Sequence, residues 1–160
     1  MTPSTVELRD GSSVGVRRLA PGDAARVQAF VRSLSAESRR ERFFSAVAEL
    51  SPLSLQRVLS SPGLSVAALQ GERFVALAQY ARESGEAEFA VVVADGWRGN
   101  GLGEALLGLL LEHARATEVK ALKGLALADN RPMRLLASKL GFAFRRDEDP
   151  QLVRMALELS

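Results

Sequence analysis

Along the chain the apolar positions change period repeatedly, and the changes mark the elements. Val14 to Leu19 alternates apolar and basic residues, which predicts a first strand with one wet face. The turn Ala20-Pro21-Gly22-Asp23 ends it, and residues 1–12 are polar enough to be loose or to form a short edge. Asp23 is placed as an N-cap, with Ala24, Val27, Phe30, Val31 and Leu34 following at helical spacing. Ser35 restarts a helix anchored by Phe43 and Phe44. Ser51-Pro52 opens a third, short helix with Leu53, Leu55, Val58 and Leu59 as a partial stripe, and Ser61-Pro62-Gly63 breaks it.

From Leu64 the period becomes that of strands. Residues 64–69, 74–80 and 87–94 are separated by the turns Gln70-Gly71-Glu72 and Glu83-Ser84-Gly85, which predicts an antiparallel meander. A helix over 102–116, a strand over 120–128 and a helix over 130–140 follow, with Gly141 as the helix stop. Strands at 142–145 and 152–159 close the chain. The predicted order is β-α-α-α-β-β-β-α-β-α-β-β, an α/β or α+β domain spanning 1–160 with helices on both faces of a mixed sheet of about seven strands.

Composition mostly removes options. Apolar residues make up 47% and charged residues 25%, as in an ordinary globule. There is no cysteine, hence no disulfide, thiolate nucleophile or Cys-type zinc site. One histidine, His113, makes His-based metal sites and triads implausible, so no metal is expected, and His113 reads as structural. A net charge of +2 does not argue for nucleic acid. No apolar run approaches a membrane span and no signal peptide is visible, so a cytoplasmic protein is expected. Arg39, Arg40 and Arg42 read as a solvated helix face.

The chemistry concentrates in Ala87–Glu104, A-E-F-A-V-V-V-A-D-G-W-R-G-N-G-L-G-E. A strand runs into a glycine turn that opens a helix. Glycines there let the backbone approach an anion, the first helical N–H groups point outward, and Arg98 adds charge. The spacing fails both G-x-G-x-x-G and the Walker loop. Glycines alone leave open a turn that merely packs the helix on the sheet.

R-x-x-G-x-G at 98–103, together with Asn130 and the later Leu140-Gly141-Phe142, resembles the acyl-CoA pyrophosphate loop and the N…LGF segment of the GNAT acetyltransferases. The element order agrees over nearly the whole chain. L-S-A-E-S-R-R-E-R-F-F-S at 34–45, A-E-F-A-V-V-V at 87–93 and L-A-S-K-L-G-F at 136–142 are similar to the acetyltransferase domain of bacterial Pat-type protein lysine acetyltransferases. The resemblance implies a GNAT fold and direct acetyl transfer from acetyl-CoA to an amine. Val91, Val92 and Val93 would offer backbone groups to the pantetheine arm. Arg98, Gly99, Asn100, Gly101, Leu102, Gly103 and Glu104 would hold the pyrophosphate, and Asn130 the arm near the thioester. Asn130 also suits a helix N-cap, and Trp97 reads as packing.

A lysine amine is mostly protonated at neutral pH, with a pKa of about 10.4, so a base is needed. Glu88, the lone charge in 87–94, is expected on a central strand, buried or in a cleft, with burial raising its pKa. The resemblance also puts the catalytic glutamate there. Glu86, on the same face, is the runner-up, and Glu83 belongs to a turn. Many relatives carry a tyrosine acid where this chain has Ala137; its one tyrosine, Tyr80, reads as core or cleft lining. Three functions compete: acetylation of a protein lysine, such as one on an acyl-CoA synthetase; acetylation of a small amine; and a catalytically silent acyl-CoA-binding module. The acceptor cleft is expected between segment 34–62 and the C-terminal strand pair, open for a protein, closed and acidic for a small amine.

Overall fold

The computed structural model describes residues 1–45 and 47–159. A single mixed sheet runs through it. Strands β1 (Ser4–Glu7), β2 (Ser13–Arg18), β3 (Gly63–Gln70), β4 (Arg73–Glu83), β5 (Glu86–Val93), β6 (Ala121–Leu127), β7 (Ala143–Arg146) and β8 (Leu152–Glu158) lie in the order β1-β2-β3-β4-β5-β6-β8-β7. Helices α1 (Ala24–Ser33), α2 (Ala36–Phe43) and α3 (Pro52–Ser60) precede β3, α4 (Leu102–Ala116) joins β5 to β6, and α5 (Arg131–Lys139) joins β6 to β7. This is the GNAT arrangement expected, with one strand more than the seven foreseen. Residues 4–7 are that strand. They pair with β2 at the sheet edge while Val6 and Leu8 reach the core.

The sheet separates two apolar clusters. Leu102, Leu106, Leu107 and Leu110 of α4 cover one face against Val66, Ala78 and Leu122. Val27, Phe30 and Val31 of α1, with Val58 of α3, cover the other against Ala67, Phe74, Leu77 and Val92. Burial on both faces is why β3 and β4 read as nearly continuous apolar runs. Leu106, Leu107 and Leu110 have no solvent exposure, so truncating any one to alanine should cost about 2–5 kcal/mol.

Asp23 does not cap α1. Its buried carboxylate turns back, accepting from the Ala20 N–H at 2.8 Å and from Arg17 Nη1 and Nη2 at 2.7 and 3.0 Å. The bidentate guanidinium outcompetes the helix N–H groups for it. Ser35 and Ser51 do cap α2 and α3, each accepting from the N–H three residues on. No helix among the described residues is long and apolar enough to cross a membrane.

The decisive feature of the sheet is local. β5 pairs with β4 over its whole length, from Glu86↔Glu83 to Val93↔Ala76. Its parallel pairing with β6 covers only Glu86, Glu88 and the residue between, against 121–123. Beyond that point the two strands part. Phe89 fills the base of the fork: its ring lies against Gly124, where a Cβ would meet it at 2.5 Å, and 5.2 Å from the Phe142 ring.

Candidate active site

The fork between β5 and β6 opens into a cavity of about 550 Å³. Glu88 to Val93 form one wall, the glycine turn and the start of α4 one end, α5 a second wall and α2 a third. The Ala94 N–H donates to Val75 O, so strand alternation turns Val92 toward β4 and presents the backbone of Val91 and Val93 to the gap. An extended ligand can therefore hydrogen-bond along this edge as a missing strand would. Of the three valines, Val92 contributes to the β4 ladder instead.

At the end of β5 a 3₁₀ turn, Asp95–Trp97, leads to Arg98. Gly99 and Gly101 adopt φ of +75° and +87°, a region other residues avoid, and Gly101 occupies the N-cap of α4 with no side chain over the helix end. The N–H groups of Leu102, Gly103 and Glu104 thus lack intrahelical partners and lie at the cavity. Such an arrangement can receive a phosphate.

Arg98 does more than supply charge. It donates through Nη2 to Ser38 Oγ at 2.9 Å, pairs with Glu41 at 3.3 Å, and reaches Val93 O through Nε at 3.3 Å. Ser38 in turn donates to Asp95, whose carboxyl these hydroxyl and N–H donors hold below its ordinary value against burial. The turn is thereby fastened to α2. Asn100 is fastened on the other side: its Oδ1 accepts from the Asp10 N–H at 3.0 Å and its carbonyl from the Arg9 N–H at 3.1 Å. The segment 8–12 is a clasp on the turn, not a loose tail. Asn130, almost wholly buried, caps α5 by accepting from the Met133 N–H at 3.2 Å. Its side-chain Nδ2 makes no hydrogen bond among the described residues and it lines the cavity, so cap and ligand contact are compatible.

Glu88 lies on the cavity wall but is exposed, not buried. Of the two places expected for it, buried or in a cleft, it takes the cleft, beside the cavity that opens where β6 leaves β5 beyond Glu88. Glu86 is exposed as well and engaged with Lys123 at 2.8 Å. The helix α2 departs most from its predicted solvated face. Arg39 donates to Leu34 O, and Arg40 lies near Glu37 and Asp129 at 3.6 and 3.9 Å. Arg42 is half-buried on the cavity wall facing Glu88. Burial pushes its guanidinium down to about 10, with the charge of Glu88 pulling the other way. Phe43 packs into the core under α1, while Phe44, in left-handed conformation at the helix end, is exposed at the cavity.

Tyr80 is fully buried, and its hydroxyl lies 2.7 Å from His113 Nδ1 and 3.1 Å from Thr117 Oγ1, away from the cavity. His113 is structural. Ala137 is fully buried, so no hydroxyl stands where many relatives carry one. Of segment 34–62, α2 lines the cavity and α3 does not; the C-terminal strands contribute Met155. Arg9, Arg42, Phe44, Leu135 and Lys139 also line it. No periodicity in the sequence marks them, because each arrives through tertiary packing.

A glycine turn with outward N–H groups, a strand edge facing the gap and a carboxylate in one cavity are parts that acyl transfer from a phosphate-bearing carrier would need. The comparisons agree. The model of the acetyltransferase (GNAT) family matches residues 29–142. An acetyltransferase of Pseudomonas aeruginosa is 34% identical over 151 residues, covering 89% of this chain and 81% of that protein. Acetyltransferase Pat of Mycolicibacterium smegmatis is 28% identical over 155 residues, which is 92% of this chain but only 46% of that longer protein. The crystal structure of the GNAT domain of S. lividans PAT superposes with a TM-score of 0.91 at 29% identity, covering 98% of this chain and 97% of that one. The chain belongs to the GNAT acetyltransferase family, and it is an acetyl-CoA-dependent N-acetyltransferase.

Proposed function

We propose that this enzyme acetylates a lysine ε-amine of a protein, with Glu88 accepting the proton, and that acyl-CoA synthetases are the acceptor class to try first. The observation carrying this reading is that Glu88, the edge of Val91 and Val93, and the turn residues Gly99 and Gly101 to Glu104 share one cavity. The edge and the turn, with Asn130, would hold acetyl-CoA along the fork, which supplies an activated acyl group as its thioester. Val91 and Val93 would orient it, and the covered fork would limit water.

The acceptor amine enters from the α2 side. Its nitrogen forms a bond to the acetyl carbonyl carbon, the carbon–sulfur bond breaks, and CoA leaves as thiolate. The proton released by the amine goes to Glu88, which passes it to solvent through its exposed edge. With Ala137 at the usual tyrosine position, the thiolate takes its proton from water.

The protein acceptor is favoured over a small amine by the character of the wall. Arg9, Arg42, Arg98 and Lys139 stand among Glu41, Glu88 and Glu104, so the cavity is not an acidic pocket that would capture a polycation. Phe44 and Leu135, 43% and 59% exposed, are apolar and accessible, as suits a protein surface laid over the opening. The sequence resemblance of 34–45, 87–93 and 136–142 to Pat-type protein lysine acetyltransferases favours the same acceptor. Incubation with acetyl-CoA and either acyl-CoA synthetases or polyamines, followed by intact-protein and small-molecule mass measurement, tests it. A mass gain on a synthetase lysine is the expected result. Transfer confined to polyamines would overturn the acceptor assignment.

A further inference from the structure

One cluster at the cavity is not used by the turn itself. Glu104 Oε2 receives both Lys139 Nζ, at 3.0 Å, and Arg9 Nη2, at 3.4 Å. Two cations from opposite ends of the chain converge on a single carboxylate oxygen. Arg9 is carried there by the clasp on Asn100, and its side chain lies against Gly101, its Nε 3.5 Å from where a Cβ would stand. Lys139 comes from the last turn of α5.

We propose that Arg9 and Lys139 are a clamp for a phosphate of the nucleotide end of acetyl-CoA, and that Glu104 holds the two cations together until that phosphate replaces it. The inference rests on the acetyl-CoA reading of the cavity and assigns two residues to it. Charge favours it: two cations share one carboxylate, leaving a surplus positive charge beside unpaired helix N–H groups. A phosphate carries more negative charge than a carboxylate and more acceptor oxygens, so it satisfies both cations at once. Exchange is easy, because the side chain of Arg9 is 62% exposed and that of Lys139 59%, and exposed pairs hold weakly. Glu104 itself keeps a favourable place in the first helical turn after release.

The test compares Arg9→Gln, Lys139→Gln and Arg9→Lys with the unaltered enzyme on three donors. These are acetyl-CoA, acetyl-dephospho-CoA, which lacks the 3′-phosphate, and acetyl-pantetheine, which lacks every nucleotide phosphate. Affinity is measured by competition, and kcat/KM with whichever acceptor the mass measurement above reveals. Each glutamine variant should lose about tenfold on acetyl-CoA, the worth of one charge-assisted contact. The loss should vanish on acetyl-pantetheine, and Arg9→Lys should restore most of it. Persistence on the dephospho donor assigns the clamp to the pyrophosphate; disappearance there assigns it to the 3′-phosphate. Equal losses on all three donors, or none on acetyl-CoA, would overturn the clamp. If the unaltered enzyme bound no acetyl-CoA, the reading of the cavity would fall instead.

Discussion

Arg98 donates to Ser38 Oγ at 2.9 Å, and by that bond the phosphate turn and the helix α2 are one unit. The same guanidinium reaches Val93 O at 3.3 Å and Glu41 at 3.3 Å. The glycine turn and the α2 wall of the cavity are therefore joined.

Removing the joint should affect both substrates. Arg98→Ala is expected to raise KM for acetyl-CoA and for the acceptor together, each by about tenfold, the loss of a charge-assisted hydrogen bond. A residue acting only as a phosphate ligand would leave the acceptor KM unchanged, and steady-state kinetics with each substrate varied in turn distinguishes the two. Ser38→Ala, which keeps the arginine charge, should reproduce the acceptor effect more than the acetyl-CoA effect.

Much of this was legible before any coordinates. The helix 102–116 and the glycine turn are local in origin: apolar spacing and positive-φ glycines need no distant partner. The turn and the strand that leads into it were readable for that reason. The places of Arg42 and Phe44 were not, because both owe them to α2 lying across the end of β5. A sequence reader sees three arginines on a helix and infers solvent. Glu88 shows the same limit from the other direction. Its strand is central by pattern and in the sheet, yet the carboxylate is exposed beside the cavity that opens where β6 leaves β5 just beyond it, and strand divergence has no sequence period.

Glu88→Gln keeps shape and removes the proton acceptor. Turnover should fall by about a hundredfold or more, the lower range for a general base, while the affinity for acetyl-CoA stays near that of the unaltered enzyme. Rapid-mixing kinetics together with acetyl-CoA titration separates the two quantities. Retained turnover would pass the proton directly to water and remove Glu88 from the chemistry.

Arg42 is a cost the fold carries at neutral pH. Its guanidinium is pushed down to about 10, chiefly by burial, so the folded state disfavours the charged form that neutral pH imposes. A depressed base is penalised below its folded pKa and relieved above it. Arg42→Met, of similar reach, should therefore raise Tm, by roughly 3 °C for each kcal/mol recovered. A fall in Tm would mean that its charge is net stabilising where it stands.

The opposite sign holds at Asp23. Hydrogen bonds from Arg17, then from the Ala20 N–H, hold its carboxyl below the ordinary 3.8, against a burial effect that raises it. A depressed acid contributes stability that is full above 3.8 and is lost as pH falls through the folded value. Asp23→Asn should cost about 2 kcal/mol at pH 7, the worth of charge-assisted bonds at a buried carboxylate. The gap between variant and parent in urea unfolding should narrow steadily below pH 3.8. A gap unchanged by acid would show that shape, not charge, sets the cost.

His113 gives the fold a second acid limit, nearer neutrality. Burial, then the charges of Arg18 and the N-terminal amine, lower its pKa from the ordinary 6.5. In the neutral ring Nδ1 can accept the Tyr80 hydroxyl, 2.7 Å away in the core; a protonated ring offers no acceptor there. Stability is full above 6.5, where the ring is neutral folded or unfolded, and declines as pH falls below it, because the unfolded chain takes up the proton first. His113→Asn should lower the pH 8 stability by about 1 kcal/mol for the disturbed hydrogen bond. It should also flatten the slope between pH 6.5 and 5, since no ring is left to titrate. Urea unfolding at three or four pH values across that range measures both. An unaltered slope in the variant would place the acid sensitivity elsewhere, and an unaltered pH 8 value would leave Thr117 Oγ1, 3.1 Å from the Tyr80 hydroxyl, as its sufficient partner.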